Sequence, residues 1–451
     1  MNKKQPLLTD TPGRALLVFA LPMIIGNLFQ QFYNMADSII VGRFVGENAL
    51  AAVGASYSFT NVFIMIAIGG GIGASVLTSQ YLGAGKLREM KTSVATFLIT
   101  FLVLSSLLAC FGFLLNPTVM RLLKTPEDIF SDAVLYLQIY FCGLPFMFMY
   151  NVLSANFNAL GKSVIPLVLL IFSSVLNVFL DLFMVLKLGM GVEGVAIATV
   201  LAQGISSLLS FQILLRFLGT FHTEGKISLF IRSMLVNGTK IAIPSIIQQS
   251  IVSIGILLTQ SAVNRFGSSA LAGYSAGMRL ESLAIVPMIA TGNAVSTFTA
   301  QNLGAGQKER VRQGYRTSYL IILSFSAILL IATQLFYRPI LSAFLDVESS
   351  PVAYSTGSSY LRFIGFFFCF LGFKASTDGV LRGAGDVGVY MAANLVNLSI
   401  RVAVAQLCSP LWGIEFVWYA VPLGWGTNYI ISYLWYRTGH WEKKTLVSSS
   451  H

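Results

Sequence analysis

Apolar runs of about 20 residues recur from Ala15 to Tyr436, separated by short turns that hold most of the glycines and basic residues. As a helix, a run of that length crosses the hydrocarbon of a bilayer. Run lengths and flanks predict twelve spans, near 15–41, 51–77, 92–115, 131–157, 164–186, 192–218, 241–263, 270–298, 317–335, 352–380, 387–407 and 413–436. The longest connection, around 219–239, falls between the sixth and seventh. The expected fold class is all-α integral membrane. Composition agrees, with 55% hydrophobic and 10% charged residues against about 25% charged in a soluble domain.

Polar residues inside the apolar runs are the informative exceptions, because an ionisable group at the bilayer centre costs at least about 2.5–3.5 kcal/mol. Asn177 and Asp181 lie four apart in "SSVLNVFLDLFMVL" and therefore share a helix face. Asp37 and Asp181 each precede a basic flank, Arg43 and Lys187, by six residues, about 9 Å of helix. Thr199 lies six residues beyond Glu193, and Tyr136 four beyond Asp132. Four helices thus bring polar groups to one level, and a shared site in which Asp181 faces Asp37 is the economical reading. Two carboxyls in a poorly hydrated site do not both ionise cheaply, so the pair suits proton exchange. The same oxygens, with Asn177 and Thr199, suit Na⁺ equally well.

The net charge of +11 is explained by topology. Nineteen Lys and Arg residues fall on one side of the predicted spans, from Lys3, Lys4 and Arg14 to Lys443 and Lys444, and six on the other. The positive-inside rule then makes both termini cytoplasmic, and no nucleic-acid partner is needed. Cys110, Cys142, Cys369 and Cys408 lie in or beside apolar runs without CxxC spacing, and His222, His440 and His451 sit in a loop and the tail. No metal or catalytic cluster is expected, nor a catalytic residue of any kind. No GxxxxGK[ST] phosphate loop occurs. The apolar stretch after Pro12 reads as a retained first span.

The chain repeats itself at an offset of 221–224 residues. "TSQYLGAG" (78–85) returns as "TAQNLGAG" (299–306), "ALPMII" (20–25) as "AIPSII" (242–247) and "GVEGV" (191–195) as "GIEFV" (413–417). Six spans per repeat is an even number, which predicts two six-helix bundles related by a pseudo-twofold along the membrane normal. The expected domains are 1–218, a connecting segment 219–240, a second bundle 241–436 and a tail 437–451. Under the offset, Asp37 maps to Thr259, Asn177 to Arg401, Asp181 to Ala405, Thr199 to Val421 and Tyr136 to Tyr360. The second half lacks the acids, so coupling is expected in the first bundle only.

The paired "QxLGAG" motifs, "ADSIIVG" followed by "LAAVGAS", and "LRGAGD" resemble the multidrug and toxic compound extrusion (MATE) family over nearly the whole chain, and its DinF-like bacterial branch most. The resemblance implies a twelve-helix antiporter that expels organic cations and drugs against inward H⁺ or Na⁺. It implies ion coupling at Asp37, Asn177, Asp181, Tyr136 and Thr199; Tyr33 and a kink at Pro22 also match. A second branch uses an acid on helix seven, where this chain offers only Gln248 and Gln249, and an Asp on helix ten without a clear counterpart here.

Tyr33, Met35, Asn151, Glu281 and Arg401 are candidates for a substrate cavity or gate. Glu281 alternatively forms a structural ion pair, with Arg401 as one candidate partner. Lys374 and Asp378, four apart, are expected to pair at the helix boundary. The function expected is a monomeric secondary exporter of small organic cations or amphiphiles in a bacterial plasma membrane, with no cofactor beyond the coupling ion. A lipid-linked precursor flippase or a metabolite exporter is the alternative. A membrane enzyme is disfavoured by the short loops and the repeat.

Overall fold

A computed structural model describes residues 5–223, 225–342, 344–345, 350–444 and 446–447. Lys3, Lys4 and His451 lie outside the described residues. Among the described residues, twelve long helical passages carry the chain: α1 (Pro12–Val45), α2 (Glu47–Gly83), α3 (Leu87–Leu122), α4 (Glu127–Ala159), α5 (Val164–Lys187), α6 (Val192–Gly219), α7 (Arg232–Phe266), α8 (Ser268–Gly304), α9 (Lys308–Leu335), α10 (Pro351–Gly365 with Phe368–Ala384), α11 (Val387–Trp412) and α12 (Glu415–Arg437). Ten are long and apolar enough to cross a membrane, and α10 makes an eleventh as a pair bent by 51°. α12 is less apolar and packs against α10 and α11. Several helices run one to three turns beyond the expected spans. α9 begins at Lys308 rather than 317 because "KERVRQGYR" is helical but polar, so hydropathy alone misses it. Gly85 and Gly306 end the two "LGAG" motifs at φ +69° and +73°, the left-handed conformation expected of a helix C-cap.

The repeat is visible in backbone irregularities. π-helical turns close α5 at Phe183–Lys187 and interrupt α11 at Val404–Cys408, at an offset of 221. α1 likewise ends in a π-helical turn, Val41–Val45, and α7 in a 3₁₀ turn, Asn264–Phe266.

The compact units are not the consecutive halves 1–218 and 241–436. Residues up to Ile24 group with Ile247 onward, and Ile25–Ile246 form the other unit. Each boundary lies two residues after a helix-interior proline, Pro22 in α1 and Pro244 in α7, where the i→i−4 ladder lacks a bond. Packing explains the grouping. The N-terminal segment is fastened to α8 and α9, with Asn302 Nδ2 donating to Leu7 O at 3.0 Å and Arg310 Nη2 to the carbonyls of Leu7, at 3.3 Å, and Asp10. The connecting segment is fastened instead to α3: Lys91 Nζ donates to Phe221 O at 2.7 Å, Arg88 Nε to Lys226 O at 3.0 Å, and Ile231 N–H to Thr96 Oγ1 at 3.1 Å. The start of α7 then crosses α2 so closely that a Cβ on Gly73 would stand 2.5 Å from Gly238 O.

Small residues set the helix spacing where apolar attraction cannot. Along α8 and α10, a Cβ on Gly379 would come within 2.4 Å of Gly292 O, and one on Gly383 within 2.3 Å of Ser296 O. Gly379→Val forces backbone apart and is expected to destabilise the protein by about 1–3 kcal/mol. Gly54→Val, where a Cβ meets nothing within 4 Å, leaves stability near wild type. Thermal unfolding of the two variants in detergent checks the difference.

Candidate functional site

In the unit formed by Ile25–Ile246, four helices deliver polar side chains to one place. Tyr33 and Asp37 lie one turn apart on α1; Asn177 and Asp181 lie one turn apart on α5. Tyr136 comes from α4 and Thr199 from α6. Asn177 and Asp181 are buried, at 2% and 0% exposure, although the rest of α5 is largely apolar.

Asn177 is the hub. Its amide touches the Tyr33 hydroxyl. In the orientation that matches donors to acceptors, Nδ2 donates to Asp181 Oδ2 at 3.1 Å and Oδ1 accepts from the Thr199 backbone N–H at 3.1 Å. Asp37 and Asp181 meet carboxyl to carboxyl. Two carboxylates in such contact repel unless a proton or a cation is shared between them. One oxygen of each, Asp37 Oδ1 and Asp181 Oδ1, is buried without a hydrogen-bond partner, which is uncommon for an acceptor shielded from water. Tyr33 and Tyr136 lie within electrostatic reach of both carboxyls.

The surroundings separate this site from water on one side and open it slightly on another. Val41, Ala49, Val185, Val192 and Val195, with Val45 and Val53, form an apolar plug between the carboxyls and the nearer helix ends. Beyond the plug, Glu47, Asp132 and Glu193 line an open depression of about 490 Å³. On the far side of Tyr136 a narrow cavity of about 10 Å³ runs between α4 and α6, room for about one water. It is lined by Tyr140, Met147, Thr199 and Gln203, and the Tyr140 hydroxyl is buried there without a partner. The sequence reading missed Tyr140 and Gln203; their one signal was position, one helical turn beyond Tyr136 and Thr199 respectively.

The other candidates fall elsewhere. Met35 is 45% exposed. Asn151 donates back to Met147 O at 2.9 Å within α4. Glu281 and Arg401 belong to the other unit, and their expected ion pair is not among those of the described residues. Glu281 Oε2 accepts instead from the Tyr360 hydroxyl, because α10 places that ring directly against α8. Lys374 and Asp378 do pair, at 3.0 Å, and both are buried. Ser432 Oγ also donates to Asp378 at 2.9 Å. α10 therefore carries a buried carboxylate after all, held by its own lysine. Gln248 accepts from Tyr390 at 2.9 Å.

The MatE family model matches residues 22–183 and 244–407, one copy in each half of the chain. The chain belongs to the MatE family. It is a multi-pass membrane transporter of that family and not an enzyme. Its relatives include a probable multidrug resistance protein, YpnP, of Bacillus subtilis, 29% identical with 96% of each chain covered. An FAD transporter of Shewanella oneidensis is 26% identical with 94% of each covered. Among solved structures, a MATE in complex with MaL6 superposes with a TM-score of 0.90 at 24% identity, covering 98% of this chain and 100% of that one. An outward-facing multidrug resistance MATE transporter gives 0.89 at 23%, covering 99% and 100%. These likenesses establish the twelve-helix MatE fold.

Replacing Asn177 by Leu removes the partner of Asp181 Oδ2 and of Tyr33 inside the bundle. The expected loss is about 1–3 kcal/mol of stability, seen as a lower unfolding midpoint in detergent. Met35→Leu, on the exposed face, is expected to stay within about 0.5 kcal/mol of wild type.

Proposed function

We propose that this protein is a secondary antiporter. It exports small organic cations or amphiphiles by alternating access, in exchange for H⁺ or Na⁺ bound at Asp37 and Asp181. The observation that carries the reading is the carboxyl-to-carboxyl contact with one orphaned buried oxygen on each side. A proton or a small cation fits that place: it supplies the missing partner and removes the repulsion. For Na⁺ the oxygen donors would be Asp37, Asp181, Asn177 and Thr199, all hard ligands. Tyr33 steadies Asn177 beside the carboxyls, Tyr136 lies close to them, and the valine plug keeps water from short-circuiting the exchange. The proposed setting is a bacterial plasma membrane, with a monomer whose two termini are cytoplasmic; the excess of Lys and Arg on the terminal side supports that orientation.

A metabolite exporter is the second reading, favoured by the likeness to the Shewanella FAD transporter over 94% of the chain. One assay separates the two. Proteoliposomes loaded with ethidium or with FAD are given an imposed pH step or Na⁺ step. Under the first reading, ethidium leaves under one of the two gradients, and Asp37→Asn or Asp181→Asn returns efflux to the leak rate while the variants remain folded. Wild-type efflux in both variants overturns the assignment of the site. Gradient-driven movement of FAD and not ethidium selects the metabolite reading.

A further inference from the structure

The unit that contains Ile247 onward buries a carboxyl of its own. Glu281 on α8 is 8% exposed and lies 13 residues from Ser268, the start of its helix, about 20 Å into the span. The repeat offset did not reveal it, because Glu281 stands opposite Thr60 rather than opposite an acid of the first half. In sequence, at an offset of 224, its neighbours Tyr360 and Arg401 pair with Tyr136 and Asn177, and Ala405 pairs with Asp181; the π-helical turns of α5 and α11 align at 221 instead. The second unit lacks both aspartates and draws its buried carboxyl from another helix, with a guanidinium on α11 near it.

The site is built around these groups. A Cβ on Gly277, one turn before Glu281, would stand 2.3 Å from the Tyr360 ring, and one on Gly424 would stand 2.2 Å from Asn397 Oδ1 and 2.8 Å from Arg401 Cγ. Only glycine leaves room there for Tyr360 and for the Arg401 stem. The Tyr360 hydroxyl donates to Glu281 Oε2. Arg401 acts electrostatically on Glu281, Tyr274 and Tyr360 without forming an ion pair with Glu281, and its Nε is buried with no hydrogen-bond partner. The ionisable groups facing Glu281 are therefore Tyr274 on α8, Tyr360 on α10 and Arg401 on α11. In the same core α12 contributes Trp418, Val421 and Trp425, and α7 Ala262 and Val263.

A carboxyl this deep is held by a proton or by a cation. We propose that Glu281 is a second proton-exchange site, at which the Arg401 guanidinium and a proton compete for the Glu281 carboxylate. In the loaded form the carboxyl carries the proton and Arg401 stands apart. On release the O–H bond breaks, the proton passes to water, and an Arg401 N–H donates to the carboxylate oxygen it leaves. The pair thereby changes from one net positive charge to none. This rests on the antiporter reading, to which it adds one exchanged proton per cycle.

Two measurements test it, and one needs no substrate. Infrared difference spectra of the purified protein, recorded between about pH 5 and about pH 9, should contain a protonated-carboxyl band that Glu281→Gln abolishes and Asp37→Asn retains. In proteoliposomes with the membrane potential clamped at zero, a pH step of one unit sets the equilibrium ethidium gradient. Losing one exchanged proton lowers that gradient about tenfold, so Glu281→Gln should reach about one tenth of the wild-type ratio. An unchanged ratio, or a carboxyl spectrum that Glu281→Gln leaves intact, overturns the proposal. If folded Glu281→Gln moves no ethidium, the spectrum decides: loss of the band supports the site and its persistence refutes it. If the wild type moves no ethidium under a pH step, the antiporter reading fails, and the spectrum alone still decides whether Glu281 exchanges a proton.

Discussion

A carboxyl group inside a bilayer has no water to turn to, so everything it needs must come from other helices. That constraint organises both halves of this molecule. Asp181 is wholly buried on α5, and its needs fix what stands around it: the Asn177 amide one turn away, Asp37 across from it, Tyr33, Tyr136 and Thr199 from three further directions. The helices can approach closely enough to deliver these groups because small residues line the seams between them. π-helical turns follow Asp37 and Asp181 within a few residues. Such turns are common at functional sites, where the extra residue re-aims side chains.

The two units solve the same problem differently. The first gathers two acids and an amide; the second uses one acid, a guanidinium and a tyrosine in the same region of the repeat. Lower in the second unit, Asp378 is neutralised by Lys374 and bonded by Ser432. Both its oxygens have partners, whereas Asp37 and Asp181 each bury one oxygen with none. The contrast sets a carboxylate satisfied by its neighbours apart from the two carboxyls proposed to exchange an ion, and it does so on partner count rather than on burial.

Much of this was legible before any coordinates. Span lengths, the tandem repeat and the common depth of Asp37, Asp181, Tyr136 and Thr199 follow from 1.5 Å per residue and from basic flanks. The Lys374–Asp378 pair follows from i, i+4 spacing. The Glu281–Tyr360 contact was not legible, because Glu281 departs from the repeat register and has no basic flank at a matching distance to fix its depth. The expected Glu281–Arg401 pair failed for the same reason: sequence places residues on faces but does not say which of two neighbouring groups arrives first. The division into units was hidden as well, since hydropathy sees α1 and α7 as unbroken spans.

That division bears on how the chain is made. Residues 5–24 are fastened to Asn302 and Arg310, nearly three hundred residues later. During synthesis the leading half of α1 waits in the membrane without its native neighbours while seven further helices are inserted. The start of α7, by contrast, meets α2 and α3 already in place. Contacts so distant in sequence close slowly, and domains otherwise fold in order of emergence. Each consecutive half of the chain therefore carries a half-helix that packs with the other half's unit. A cut in the central loop would leave each fragment carrying a half-helix whose packing partners lie on the other, so the repeat in the sequence and the packing units of the fold do not coincide.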